Sequence, residues 1–209
     1  MPPSETLPLF PLPGLLLYPE AVIPLHVFEP RYRQMMADMV QGGEDRLVIA
    51  ALRPGYEPDY HNSPPVFDVA GVGKILNCHR LSDGRWNLVL QGERRVKILR
   101  EPSSGKPYRR VHVMELVEPQ IPDPPASLLR QRLARALEDL LGGGLCLPDA
   151  ADPGFLADVL LLQLPLALPE RHALFALVDP ALRAERVLEA FHGCGCDALP
   201  RLPYNPDSN

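Results

Sequence analysis

Three residues near the C-terminal end, His192, Cys194 and Cys196, place imidazole and thiol groups in one short stretch. Such ligands suit tetrahedral zinc, but structural zinc sites space their ligands as C-x-x-C and repeat the pair further along. Neither feature occurs here, and a fourth ligand would have to come from Cys78, His79 or Cys146. The reading is no metal and no cofactor, with His192, Cys194 and Cys196 as the residues a metal would have to use. Cys78-His79 offers a nucleophile beside a base, yet neighbours on a strand point to opposite faces and cannot pair with each other. Gly71-Val72-Gly73-Lys74 is too short for the phosphate-cradling G-x-x-x-x-G-K-[ST] loop. No nucleophile, base and orienting group can be named together, so the chain reads as not an enzyme.

Charge supplies a second candidate. Arg94, Arg95, Lys97, Arg100, Lys106, Arg109 and Arg110 gather on two expected strands and their loop. Arg94, Arg95, Lys97, Arg109 and Arg110 would carry an alternative reading, RNA binding through phosphate contacts. Against it, Trp86 is the only nearby ring for base stacking, and the net charge of the chain is −5. Basic residues on alternating strands also commonly form the wetted face of a half-buried sheet.

The elements that must position these groups change type along the chain. Short apolar runs at 7–12 and 21–28, bounded by Pro and Gly, predict two strands. Pro30 suits the first turn of a helix, and Tyr32, Met35, Met36, Met39 and Val40 then recur as an amphipathic stripe. Gly42-Gly43 ends it. Strands are expected at 46–52 and 66–81, with Gly71 and Gly73 marking a bulge or a close backbone approach. Ser82-Asp83-Gly84 reads as a hairpin turn, and alternation at Trp86, Leu88, Leu90, Val96, Ile98, Val111 and Val113 continues the sheet. Helices follow: a stripe from Leu129 to Leu140 stopped by Gly142-Gly143-Gly144, a start at Asp152-Pro153, another at Pro169, and a last one from Asp179-Pro180 capped near Gly193.

The 26 prolines among 209 residues are spread along the chain and sit at element ends. A 46% apolar content is that of a globular chain. The apolar stretches are broken by proline and charge, which predicts neither a signal peptide nor a membrane span. Four cysteines without a paired framework fit reduced thiols, hence a cytoplasmic location.

At residues 7–32 a family pattern emerges. The blocks LPLFPLPG (7–14), Tyr18-Pro19 and PLHVFEPRY (24–32) resemble the opening of the N-terminal domain of Lon proteases, in order and spacing. The stretch GVGKIL…DGRWNLVLQGERRVKIL (71–99) is similar to the family's second signature, and 160–191 to its helical end. The resemblance implies an α+β fold: a small twisted β barrel of the PUA-like type with one crossing helix, then a helical bundle. It implies a β-rich part over 1–118, a helical part over 119–196 and an extended tail over 197–209.

The resemblance further implies a non-catalytic module that binds unfolded or partner proteins, as the substrate-recognition domain of an ATP-dependent protease does. It reads as a stand-alone relative, without the ATPase and Ser-Lys protease domains, whose partners are client proteins and a protease or chaperone. Contacts are expected at Leu15, Leu16, Leu17, Tyr18, Arg31, Arg33, Gln34 and Met35. Exposed, the leucines would make a sticky loop for unfolded chains; buried, they are the turn into the second strand. The methionines offer an adaptable peptide surface or the cover of the barrel's open side. Arg31, Arg33 and Gln34 lie off the apolar stripe and are expected to face water.

Overall fold

The computed structural model describes residues 4–60, 62–141 and 151–194. The chain divides into two compact units, Met1–Val117 and Glu118–Asn209. The first holds six strands: β1 (Ser4–Leu12), β2 (Val22–Val27), β3 (Arg46–Ala51), β4 (Val69–Arg80), β5 (Trp86–Arg100) and β6 (Arg110–Glu115), with helix α1 (Pro30–Gly42) after β2. The sheet order is β2-β5-β4-β3-β1-β6, and β5 also pairs with β6, so hydrogen bonds run in a closed ring. β1 and β3 are parallel and the other pairings antiparallel. The expected mixed α+β fold with a small barrel and one helix beside it is the fold observed.

The length of β5 makes this topology possible. Its first half, Trp86 to Gln91, lies between β2 and β4, while its second half, from Arg94 on, lies between β4 and β6. Register shifts at Val72/Gly73, Ile75/Asn77 and Ile98/Arg100 supply the extra twist that closing a ring requires. Successive residues point to opposite faces, so one strand feeds two cores. In β3, Val48 and Ala50 join Leu7, Leu9, Val72, Val96, Val111 and Val113 in one core. Leu47 and Ile49 join Trp86, Leu88, Leu90 and the stripe of α1 in the other.

In α1, Tyr32, Met35, Met36 and Met39 are all buried, which resolves the methionines as core. Each such burial stabilises by about 1.5–3 kcal/mol. Val40, expected in the stripe, is exposed: it sits about 80° round the helix from Tyr32, past the edge of the buried face. Gly43 closes the helix at φ 68, the left-handed cap.

The second unit holds α2 (Pro125–Leu141), α3 (Pro153–Gln163), α4 (Leu168–Phe175) and α5 (Pro180–Gly193). The Asp152 and Asp179 carboxylates accept from Phe155 N–H and from Ala181 and Leu182 N–H, capping α3 and α5. Gly193 is the last helical residue of α5, and Cys194 takes the cap position. Arg183, 1% exposed, donates to the Leu177 carbonyl and to Glu118, both at 2.6 Å, and lies 3.2 Å from the buried Asp158. The glycine stop at 142–144 and the tail 197–209 lie outside the described residues. None of the described helices is long and apolar enough to cross a membrane.

Candidate functional site

The structure turns the expected contact loop inward. Leu16, Leu17 and Tyr18 are buried, and Leu15 is half-buried against the α1-side core. The cause lies in three glycines beneath them. A Cβ on Gly71 would overlap the Leu17 carbonyl oxygen, one on Gly92 the Tyr18 carbonyl oxygen, and one on Gly73 would come 2.8 Å from a Leu17 methyl. The loop backbone lies directly on β4 and β5, so Leu17 and Tyr18 fasten the sheet, and Leu16, Leu17 and Tyr18 are withdrawn from the surface. Met35 is likewise core.

Arg31, expected to face water, is largely covered. Its guanidinium lies 4.7 Å from the Tyr32 ring and 5.6 Å from that of Tyr60, donates to the Tyr60 carbonyl at 3.0 Å and pairs with Glu29 at 3.0 Å. Glu29 also accepts from the Tyr60 hydroxyl at 2.9 Å, so Arg31 and Glu29 clamp the loop after β3 onto the start of α1. Burial pushes the Tyr60 phenol up and carries Tyr32 to about 12. Arg33 is half-buried and Gln34 exposed, the latter donating to Asp38 at 2.6 Å.

The basic strands are matched from within. Arg94 reaches Glu5 at 2.7 Å and Glu93 at 3.1 Å; Arg110 reaches Glu44 at 2.6 Å; Arg109 is paired with Glu101; and Arg95 is 1% exposed. Lys97 and Arg100 are exposed. Lys106 meets Asp38 at 2.8 Å, and this bond, first among its causes, holds the Asp38 carboxyl below its usual range. The seven cations placed near one another by the sequence therefore do not form one open phosphate-binding strip.

What remains open is the outer face of the β2–β5–β4 ribbon. Cross-strand register sets His26, Asn87 and His79 in one row, Pro24, Val89 and Asn77 in the next, and Val22, Gln91 and Lys74 in a third. A groove of about 410 Å³ is lined by Pro24, Leu25, His26, Asn77, His79 and Asn87, with Leu88 and Val89. Large apolar side chains of the neighbouring positions in sequence are exposed: Val22 56%, Phe28 59% and Leu76 51%. His26 is exposed. Its ring bonds Asn87 at 2.6 Å and Arg85 at 3.3 Å and stacks on Phe28. Cys78 and His79 do point apart: the thiol packs against the core and the imidazole faces the groove.

β2 is the open edge of this ribbon. The Gly92 N–H donates to the Ala21 carbonyl, so Ala21, Ile23, Leu25 and Val27 turn their peptide groups toward β5. Val22, Pro24 and His26 turn theirs outward, and Pro24 removes the central donor of the edge. A second cavity, about 270 Å³, lies on the other side of the ribbon, lined by Pro30, Arg33, Gln34 and Ala37 of α1 with Arg80, Gly84 and Trp86 of the β4–β5 hairpin.

Among the described residues no group of three or more His, Cys, Asp or Glu is placed to hold a metal ion. His192 is exposed and Cys194 half-buried, while Cys146 and Cys196 lie outside the described residues. The residues of the groove carry no sequence motif. The one signal for them is the run of alternation either side of Asp83-Gly84, and it needs the register to become a surface.

Comparison with known proteins follows the same outline. The family described as ATP-dependent protease La (LON) substrate-binding domain matches residues 6–192. Lon protease of Trichlorobacter lovleyi is 28% identical over 194 residues, and Lon protease of Geobacter metallireducens 27% over 199. Each match takes in 88% of this chain, and the chain spans 23% of either relative's length. A Lon N-terminal domain protein from Xanthomonas campestris superposes with a TM-score of 0.64 at 26% identity, covering 88% of this chain and 98% of that one. The N-terminal domain of Mycobacterium avium complex Lon protease gives the same TM-score at 20% identity, covering 93% and 100%; at that identity the likeness speaks for the fold alone.

Proposed function

Because the chain belongs to the ATP-dependent protease La (LON) substrate-binding domain family, we propose that it is a module that holds exposed apolar segments of other proteins and performs no chemistry on them. The observation that carries this reading is the outer ribbon face: a groove lined in part by Pro24, Leu25, Leu88 and Val89, with the exposed Phe28 stacked on its His26 and the exposed Val22 two residues along β2 from Pro24. A folded segment has already buried its apolar side chains. An unfolded one offers them, and covering an exposed Phe, Leu or Val in full is worth about 1.5–3 kcal/mol before ordering costs. Pro24 disfavours strand addition at the β2 edge, so recognition runs through side chains and suits many sequences. Clients held in this way would be handed to a protease or chaperone.

The RNA-binding alternative is the weaker of the two, since four of its five residues are buried or ion-paired. Calorimetric titration of the chain with a reduced, unfolded protein and with its native form tests the proposal. Binding to the unfolded form alone is expected. Equal affinity for both, or for neither, overturns it.

A further inference from the structure

Arg33 and Arg80 both line the 270 Å³ cavity between α1 and the β4–β5 hairpin, and among the described residues neither forms an ion pair. This contrasts with Arg31, Arg46, Arg94, Arg109 and Arg110 in the same unit, each of which has a carboxylate partner. Arg33 is nonetheless fixed in place. Its Nε donates to the Gly84 carbonyl at 2.9 Å and its Nη2 to the Asp83 carbonyl at 3.1 Å. Gly84 has φ 80, and a Cβ there would overlap the Arg33 guanidinium, so the turn needs glycine twice over: for its backbone and to seat the arginine. Arg80 stands directly across the hairpin from Trp86, with its guanidinium 5.8 Å from the ring. The carboxylate of Asp83, in the same hairpin turn, is engaged by Arg85, accepting from its backbone N–H at 3.0 Å and from its Nε at 2.6 Å. Gln34 lines the same cavity, but its amide is turned to Asp38.

We propose that this cavity receives an Asp or Glu side chain of a bound protein segment, with Arg33 and Arg80 as its charge partners and Trp86 lining the site. This rests on the reading of the chain as protein-binding and adds a preference to it: segments whose apolar part lies on the outer face and whose carboxylate reaches the α1 side are held best. Charge complementarity selects the occupant, because two guanidinium-bearing residues lining one cavity favour a planar anion able to accept from both. The volume has room for a carboxylate side chain. A pre-seated Arg33 means that little side-chain order is lost when the partner arrives.

Trp86 is the only tryptophan of the chain, so its emission reports on this cavity. The experiment titrates the full chain with end-blocked, dye-labelled apolar peptides containing one Glu, or Gln in its place. It reads peptide anisotropy and Trp86 emission together, and runs free glutarate and inorganic phosphate as separate arms. The Glu peptide is expected to bind about tenfold tighter than the Gln peptide and to shift Trp86 emission. Arg80→Gln, at an exposed position, should erase that difference without moving the melting temperature, and added salt should narrow it. Equal affinity for both peptides with unmoved Trp86 emission overturns this inference and leaves the protein-binding reading standing. Saturation by glutarate or phosphate at lower concentration than the Glu peptide also overturns it, in favour of a small-anion site. Failure of both peptides and of an unfolded protein to bind removes the inference and the reading beneath it.

Discussion

Replacing Gly71 by alanine tests how the loop 15–18 is held. The added methyl group would occupy the position of the Leu17 carbonyl oxygen, a backbone atom that no rotamer change can move. Either β4 and the loop separate, straining the closed ring, or the loop lifts away and exposes Leu17 and Tyr18, each now 1% exposed. Overpacking a tight core costs about 1–3 kcal/mol. Exposing Leu17 alone costs about 1.5–3 kcal/mol. Both routes give a loss of about 2 kcal/mol, which lowers the melting temperature by roughly 10 °C for a unit of this size. Gly92→Ala meets the Tyr18 carbonyl in the same way and should match it. Gly73→Ala meets only the end of the Leu17 side chain, which can turn, and should cost less. Gly42→Ala meets nothing within 4 Å and should be neutral or stabilising by about 0.5–1 kcal/mol. Urea unfolding of the four variants, followed by Trp86 fluorescence, ranks them. If Gly71→Ala and Gly42→Ala unfold at the same denaturant concentration, the loop does not fasten the sheet as described.

Other perturbations probe other parts of the molecule. Phe28→Ser removes an exposed ring and should leave stability within about 0.5 kcal/mol while weakening the binding of unfolded protein about tenfold, read by calorimetry. The Asp38 carboxyl is held below its ordinary value, so its contribution is present above the unfolded-state value of about 3.9 and is lost as pH falls through the lower folded-state value. Stability measured from neutral pH to about pH 2 should show that acid-side loss in the native chain and a smaller one in Asp38→Asn. Arg183→Ala leaves the buried Asp158 without its guanidinium and should destabilise the helical unit by about 3–5 kcal/mol, whereas Arg183→Met together with Asp158→Leu should recover much of that. Thermal melts followed by helical circular dichroism separate these two variants.

Much of the architecture can be read from local signals. Pro30 and Gly43 bracket α1, Asp152-Pro153 and Asp179-Pro180 open α3 and α5, and Asp83-Gly84 turns the hairpin, because each is a backbone requirement that one or two residues satisfy. The single long strand β5 is harder to read. Gly92 to Arg95 resembles a polar break, and only the partners brought by folding, Glu5 to Arg94 and Arg46 to Glu93, make charge acceptable there. The glycines Gly71 and Gly73 announce a close approach but not what approaches. The Leu15 to Tyr18 loop could therefore be taken for a contact surface until the Leu17 carbonyl was seen lying on β4. The ribbon face and the arginine cavity depend on cross-strand register, which the bulges at Val72/Gly73 and Ile75/Asn77 shift in ways that alternation does not encode.

Backbone amide chemical-shift mapping during titration with a reduced, unfolded protein bears most directly on the proposed function. Perturbations gathered along residues 22–28 and across 76–89 are predicted, with Met35, Met36 and Met39 of α1 undisturbed. Shifts confined to the basic residues of β5 and β6, or no shifts at saturating unfolded protein, would contradict the assignment of the ribbon face as the holding surface.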